Sequence, residues 1–229
     1  MMSGAIQLLD SNTFEELRIV PQLDDLSPDI SRLKFSNDGE LLFVGDFHGA
    51  LNVWRVASCE RVLAIEASGH KLQDISIATN GRRFGFSRGR DVQVRELPSG
   101  TVVFSKETPG AIIRTLALDW DGSHVALGNL DGKISLVELK TGRTVWENTD
   151  AGLSDVVRAL RFSPDGQRLA AARVQDHCIL MFDPTTGDVT SRLRGHPANV
   201  KSLIWIDNRA LCSASYDGVI RNWTFDDDQ

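Results

Sequence analysis

The chain has 229 residues, a formal net charge of −6 and 41% hydrophobic residues. That length can bury a substantial apolar core, and the mild acidity argues against a nucleic-acid binder, whose footprint is a basic balance or a basic face. Three cysteines, Cys59, Cys178 and Cys212, lie far apart and outside any Cys-x-x-Cys spacing, which argues against a disulfide framework or a thiolate zinc site and for free thiols in a reducing compartment.

The opening stretch, MMSGAIQLLDSNTFEELRIV, has neither a basic n-region nor a long apolar run, so it does not read as a signal peptide. No stretch approaches the roughly 18 uninterrupted apolar residues of a membrane span. A cytoplasmic location, away from membranes, is expected.

Along the chain one element recurs: alternating apolar residues running into a polar turn. It reads ISRLKFSNDG, LQDISIATNG, IRTLALDWDG, VRALRFSPDG and VKSLIWIDNR, ending at Gly39, Gly81, Gly122, Gly166 and Arg209, in steps of 42, 41, 44 and 43 residues. After each copy comes a short alternating strand: GALNVW, RDVQVR, GKISLV, HCILMF and GVIRNW. A third element, ERVLAIE, GTVVFSK, GRTVWEN and GDVTSRL, is another short strand, three times opened by a Ser-Gly or Thr-Gly turn. Each unit therefore yields about four short strands with Gly, Asn and Asp at the turns. A period near 42 with four strands per unit fits the blades of a β-propeller, whose sheets are apolar on both faces and must stack to bury them.

The last unit, GHPANVKSLIW followed by LCSASYDGVIRNW, resembles the WD-repeat family. Gly195-His196 matches the family's Gly-His, and Trp223 stands where its Trp-Asp dipeptide begins, with Thr224 in place of the Asp. Trp54-Arg55 and Phe182-Asp183 are degenerate versions, and Gly69-His70 is a second Gly-His. Trp120-Asp121 falls in a turn after a first strand and does not belong to the motif. The expected fold is an all-β, WD-repeat-like propeller of four-stranded blades in a single domain. A partial blade covers 1–24, and repeat units cover 30–66, 73–105, 112–147, 156–193 and 199–225.

The resemblance also implies a structural hydrogen-bonded tetrad, mapped here onto His196, Ser215, Asp217 and Trp223. A His, a Ser and an Asp in one stretch could instead suggest a hydrolase. That reading needs an exposed nucleophile beside an oxyanion hole, and a mid-strand Ser offers neither. In the other units the Asp position is assigned to His48, Arg88, Asp131 and Asp176, and the Trp position to Trp54, Val94, Val137 and Phe182. Apolar packing must carry more of the load there.

GAIQLLDSNTFEELRIV aligns with GALNVWRVASCERVLAI, so the chain opens at the third strand of a blade. The segment near Phe14 to Val20 could supply the missing fourth strand of the last unit and close a five-bladed ring. An incomplete or open propeller is favoured over that closure, and its exposed strand edges would invite self-association.

Other chemistry is sparse. His177 and Cys178 are adjacent, and neighbours on a strand point to opposite faces, so no metal is expected. No phosphate loop or nucleophile elbow is present, and no cofactor is expected. GRRFGFSRGRDVQVR holds Arg82, Arg83, Arg88, Arg90 and Arg95, either a solvated blade edge or a docking patch for an acidic partner. The residues just before the turn Asp are Phe47, Ser87, Leu130, Gln175 and Tyr216, which the resemblance places on the narrow face where partners dock. Phe47, Arg88, Arg90, Gln175 and Tyr216 are thus the candidate protein-binding residues, since aromatics and Arg favour interfaces. The function expected is a non-enzymatic interaction scaffold whose partners are other proteins. The alternatives are an enzyme or ligand binder with a central-channel site, for which only His48 and His124 are suggestive, or a fragment of a larger WD-repeat protein.

Overall fold

The computed structural model describes residues 6–20, 29–110, 112–148 and 156–226. Among these residues there are 21 strands and no helix. Five sheets follow one another along the chain. The first is β3 (Ile30–Phe35), β4 (Leu41–Asp46), β5 (Leu51–Arg55) and β6 (Glu60–Ile65). The second is β7 (Leu72–Ile77), β8 (Arg83–Arg88), β9 (Asp91–Glu96) and β10 (Val102–Glu107). The third is β11 (Ile113–Leu118), β12 (His124–Asn129), β13 (Ile134–Glu138) and β14 (Thr144–Asn148), and the fourth is β15 (Val157–Phe162), β16 (Leu169–Arg173), β17 (Ile179–Phe182) and β18 (Val189–Leu193). The fifth has three strands, β19 (Val200–Trp205), β20 (Ala210–Ser215) and β21 (Ile220–Thr224). Every sheet is an antiparallel meander in chain order, which is the blade of a propeller.

The registers make the blades superimposable residue by residue. Each first strand bulges at its second residue, so that Ile30, Leu72, Ile113, Val157 and Val200 pair with Asp46, Arg88, Asn129, Arg173 and Ser215. One step earlier on the second strand stand Gly45, Ser87, Gly128, Ala172 and Ala214. All are small, because the next blade arrives there: a Cβ on Gly45 would lie 2.8 Å from Leu72, and one on Gly128 2.7 Å from Val157.

Successive first strands pack side by side and exchange polar contacts at repeat spacing. Ser31 Oγ donates to Leu72 O at 3.1 Å, Thr115 Oγ1 donates to Asp74 Oδ2 at 2.7 Å, and Trp205 Nε1 donates to Arg161 O at 3.1 Å. Between them lie apolar layers, one joining Phe43, Leu51 and Val53 of the first blade to Leu72, Ile75, Phe84 and Phe86 of the second. The turn glycines Gly39, Gly81, Gly122 and Gly166 all have φ between 70° and 74°, a region that disfavours side chains.

The propeller is not closed by hydrogen bonds. β1 (Ile6–Leu9) pairs with β2 (Glu16–Val20) in a separate two-stranded sheet, with Ile6 opposite Val20. This corrects the closure in which residues 14–20 would complete the last blade. Leu8 on β1 packs on Leu42, Val44 and Trp54 of the first blade, while β2 takes β1 and not β21 as its partner. Part of each end face stays uncovered. Ile220 is 72% exposed, while its equivalents Leu51, Val92, Ile134 and Ile179 are at most 2% exposed. Leu33 is 52% exposed, while Ile75, Leu116, Leu160 and Leu203 are buried.

Candidate functional site

The fifth blade holds a closed polar chain. Trp223 Nε1 donates to Ser213 Oγ at 2.8 Å, Ser213 Oγ lies 2.8 Å from His196 Nε2, and His196 Nδ1 lies 2.7 Å from Asp217 Oδ2. Donor counting closes this chain with a neutral imidazole: Trp gives to Ser, Ser to Nε2, and Nδ1–H to the carboxylate. Burial pushes the Asp217 carboxyl up, but hydrogen bonds from His196, the Val219 amide and Ser215 outweigh it and hold the group below its ordinary range. Ser213 is 1% exposed, so no substrate reaches its hydroxyl, and the chain is structural.

His196, Asp217 and Trp223 therefore meet, but the serine among them is Ser213 and not Ser215. Both point to the same side of β20, two residues apart. Ser213 pairs with Arg221, two residues along from the Leu211–Trp223 pair and on the same face, and lies within reach of the indole. Ser215 ends the strand, donates to Ala198 O at 3.0 Å and accepts from the Asp217 amide. In the other blades the Ser213 position holds Val44, Phe86, Leu127 and Ala171, and the Trp223 position holds Trp54, Arg95, Val137 and Phe182. Arg95, not Val94, occupies it in the second blade, because the turn between β8 and β9 contains only Gly89 and Arg90. With Val44 in the serine's place, the buried Trp54 Nε1 finds no hydrogen-bond partner among the described residues.

The same short turn removes Arg88 from the docking candidates. It belongs to β8, is 6% exposed, and its Nη1 donates to Gly49 O at 2.9 Å and Glu66 O at 2.8 Å. It is a staple between the first two blades. The basic stretch around it disperses: Arg83 donates to Gly122 O at 2.8 Å, Arg95 is held by Gln93 Oε1, and only Arg82 and Arg90 are exposed. Gln175 is exposed on the turn between β16 and β17.

Phe47 and Tyr216 do stand out, 45% and 57% exposed on equivalent turns of the first and last blades. Each ring carries a cation: Lys71 Nζ lies 3.9 Å from the Phe47 centroid, and Lys201 Nζ 4.7 Å from that of Tyr216. These turns sit at the end of the propeller where the first strands begin.

The central channel opens between the first strands. Its cavity of about 300 Å³ is lined from all five blades, including Arg32, Lys34, Arg114, Arg158, Arg161 and Lys201. His48 and His124 are not among its walls. His48 is exposed on a turn, and His124 Nδ1 is held 2.9 Å from Asp119 Oδ2 at the opposite end of the sheets. The sequence reading missed the arginines, each of which looks like an isolated surface charge. Aligning the units at their bulged second residue, which places Ser31, Gln73, Arg114, Arg158 and Lys201 in one row, would have found two of them.

Residues 148–183 and 187–224 match the family model described as WD domain, G-beta repeat. The fourth and fifth units are thus WD repeats. The chain is 24% identical over 189 residues to mouse apoptotic protease-activating factor 1, covering 82% of this chain and 14% of that protein. It is 26% identical over 203 residues to rat WD repeat-containing protein 1, covering 83% and 32%. Over 118 residues it is 28% identical to the non-catalytic subunit of tRNA (guanine-N(7)-)-methyltransferase of Caenorhabditis elegans, covering 52% and 29%. The chain thus spans a third or less of each of these relatives. The three cysteines are free thiols, and burial pushes that of Cys178 up to about 12.

Proposed function

We propose that this chain is a non-enzymatic scaffold that docks another protein on the face bearing the turns between second and third strands. The observation that carries the reading is the pair of exposed aromatics, Phe47 and Tyr216, each capped by a lysine on the same face. Large rigid rings beside cations suit a partner segment with acidic residues flanking an apolar anchor. The buried, self-satisfied tetrad supports a platform and not a hydrolase. The free, separated thiols suit a reducing, cytoplasmic setting. In affinity capture of the tagged chain from its native lysate, a stoichiometric partner is expected that falls at least about tenfold for a Phe47→Ala/Tyr216→Ala double variant. A partner retained undiminished by the double variant would remove this face from the reading.

A second reading concerns the end faces. Ile220 and Leu33 occupy positions that are buried against a neighbouring blade everywhere else in the molecule, so the faces complement one another in kind. We propose that copies of the chain associate end to end through them. Sedimentation velocity of the purified chain is expected to show concentration-dependent oligomers that Ile220→Lys reduces to monomer. A wild-type chain that stays monomeric over the same range would rule this out.

A further inference from the structure

The central channel is densely charged, and its charge is unbalanced. Six of its lining side chains are cationic and one, Asp74, is a carboxylate, in a chain whose net charge is −6. Asp74 offsets only part of that charge, one carboxylate against six cations. Its Oδ2 accepts from Thr115 Oγ1 at 2.7 Å and the Leu116 amide at 3.2 Å, and its Oδ1 accepts from the Ile75 amide at 2.9 Å. Arg161 comes within only 3.8 Å of it.

The cations themselves are poorly partnered. Arg32 and Arg161 reach carbonyls of their own strands, Ser31 O and Leu160 O, and Arg114 approaches Gln73 O at a long 3.4 Å. The buried Nε of Arg158 has no hydrogen-bond partner among the described residues. Lys34 donates to Ile75 O at 3.2 Å, and burial, with the Arg161 charge adding to it, pulls its pKa down to about 8. Burial also lowers the pKa of Arg114, and Arg32 and Arg158 push it the same way.

Like charges held together in a half-enclosed cavity repel one another more strongly than they would in open water. The blades do not need them for packing, because positions equivalent to Lys34 and Arg161 hold Ser76 and Ala117 in neighbouring blades. An arrangement that costs stability and serves no packing role is characteristic of a binding site. Guanidinium forks match phosphate oxygens two at a time, and a cavity of this size takes a small molecule and not a folded chain.

The geometry points to the central channel as a binding site for a small polyanion carrying two or more phosphate groups, gripped chiefly by Arg114, Arg158 and Arg161. This site adjoins the docking face and shares Lys201 with it.

The test is isothermal titration calorimetry of the full chain at physiological salt with two probes, inorganic triphosphate and myo-inositol hexakisphosphate. At least one is expected to bind saturably at one site per chain and to raise the melting temperature. Arg114→Gln and Arg158→Gln are each expected to weaken binding by about tenfold. Without ligand they should melt at or above the wild-type temperature, because repulsion is relieved. Arg82→Gln, at an exposed arginine outside the channel, should leave affinity unchanged. No saturable binding of either probe would overturn the assignment. So would binding that the channel variants leave intact, or that Arg82→Gln weakens equally. Binding of a phosphorylated peptide but of neither small probe would also overturn it, since the channel would then receive part of a partner protein.

Discussion

Replacing Ser213 by Ala is expected to cost about 2–4 kcal/mol of stability, whereas Ser215→Ala should cost about 1 kcal/mol or less. Among the described residues, Ser213 Oγ is the atom that joins the indole of Trp223 to the imidazole of His196. Its loss leaves the Trp Nε1–H and His Nε2 without their partner, in a place where Ser213 and His196 are almost sealed from water. A buried polar group stripped of its partner loses more than the net worth of one hydrogen bond. Ser215 lies at the end of its strand beside the turn, where solvent can take over its contacts to Ala198 O and the Asp217 amide. Urea denaturation of the two variants side by side decides the matter. If Ser215→Ala proved the more damaging, the tetrad as the structure draws it would be wrong. His196→Ala should follow Ser213→Ala in direction, and a loss of function without a loss of stability there would reopen the catalytic reading.

The repeat was legible because blade geometry imposes it. Strand alternation, turn glycines and a period near 42 all follow from short antiparallel strands stacked face to face. The open ring was legible too, from an N-terminal segment that aligns with a third strand. What escaped was decided by register. Ser213 and Ser215 both fit the family pattern on one strand face, and only the pairing of β20 with β21 separates them. Arg88 was counted as a turn residue because a two-residue hairpin cannot be told from a four-residue one by spacing alone. The channel escaped because it is assembled by the curvature of the ring: its cations sit one or two to a blade in four of the five blades, in stretches that individually read as ordinary alternating strands.

The blades differ in how they are held. Only the last keeps a polar tetrad, and it is also the blade with an uncovered face, where a hydrogen-bonded network can fix a conformation that packing leaves unsupported. The early blades rely on apolar layers and aromatic pairs, such as Phe43 with Phe84 at 5.2 Å between centroids and Trp146 with Phe182 at 6.1 Å. Trp54 shows the transition: its ring is buried among Leu8, Leu42 and Val44, while its N–H has lost the serine that satisfies Trp223.

Arg88→Ala tests the seam between the first two blades and is expected to destabilise the chain by about 3 kcal/mol. The guanidinium donates to Gly49 O and Glu66 O, carbonyls on two different loops of the first blade, and its Cζ lies 4.9 Å from the Phe86 centroid. Charge-assisted bonds to carbonyls are worth about 1.5–3 kcal/mol each, and truncation would strip both loops of their common donor and empty the space between them. Gly49 is part of the same joint: its φ is 87°, and a Cβ there would lie 2.3 Å from His70 O and 2.9 Å from Arg88 Cδ. Arg88→Lys keeps the charge but not the fork, and should recover part of the loss and not all of it. The readout is the urea midpoint of each variant, paired with partner capture at matched amounts of folded protein. A stable Arg88→Ala chain that fails to capture its partner would return Arg88 to the docking surface. An unstable one whose folded fraction binds normally would show that this arginine serves the propeller itself.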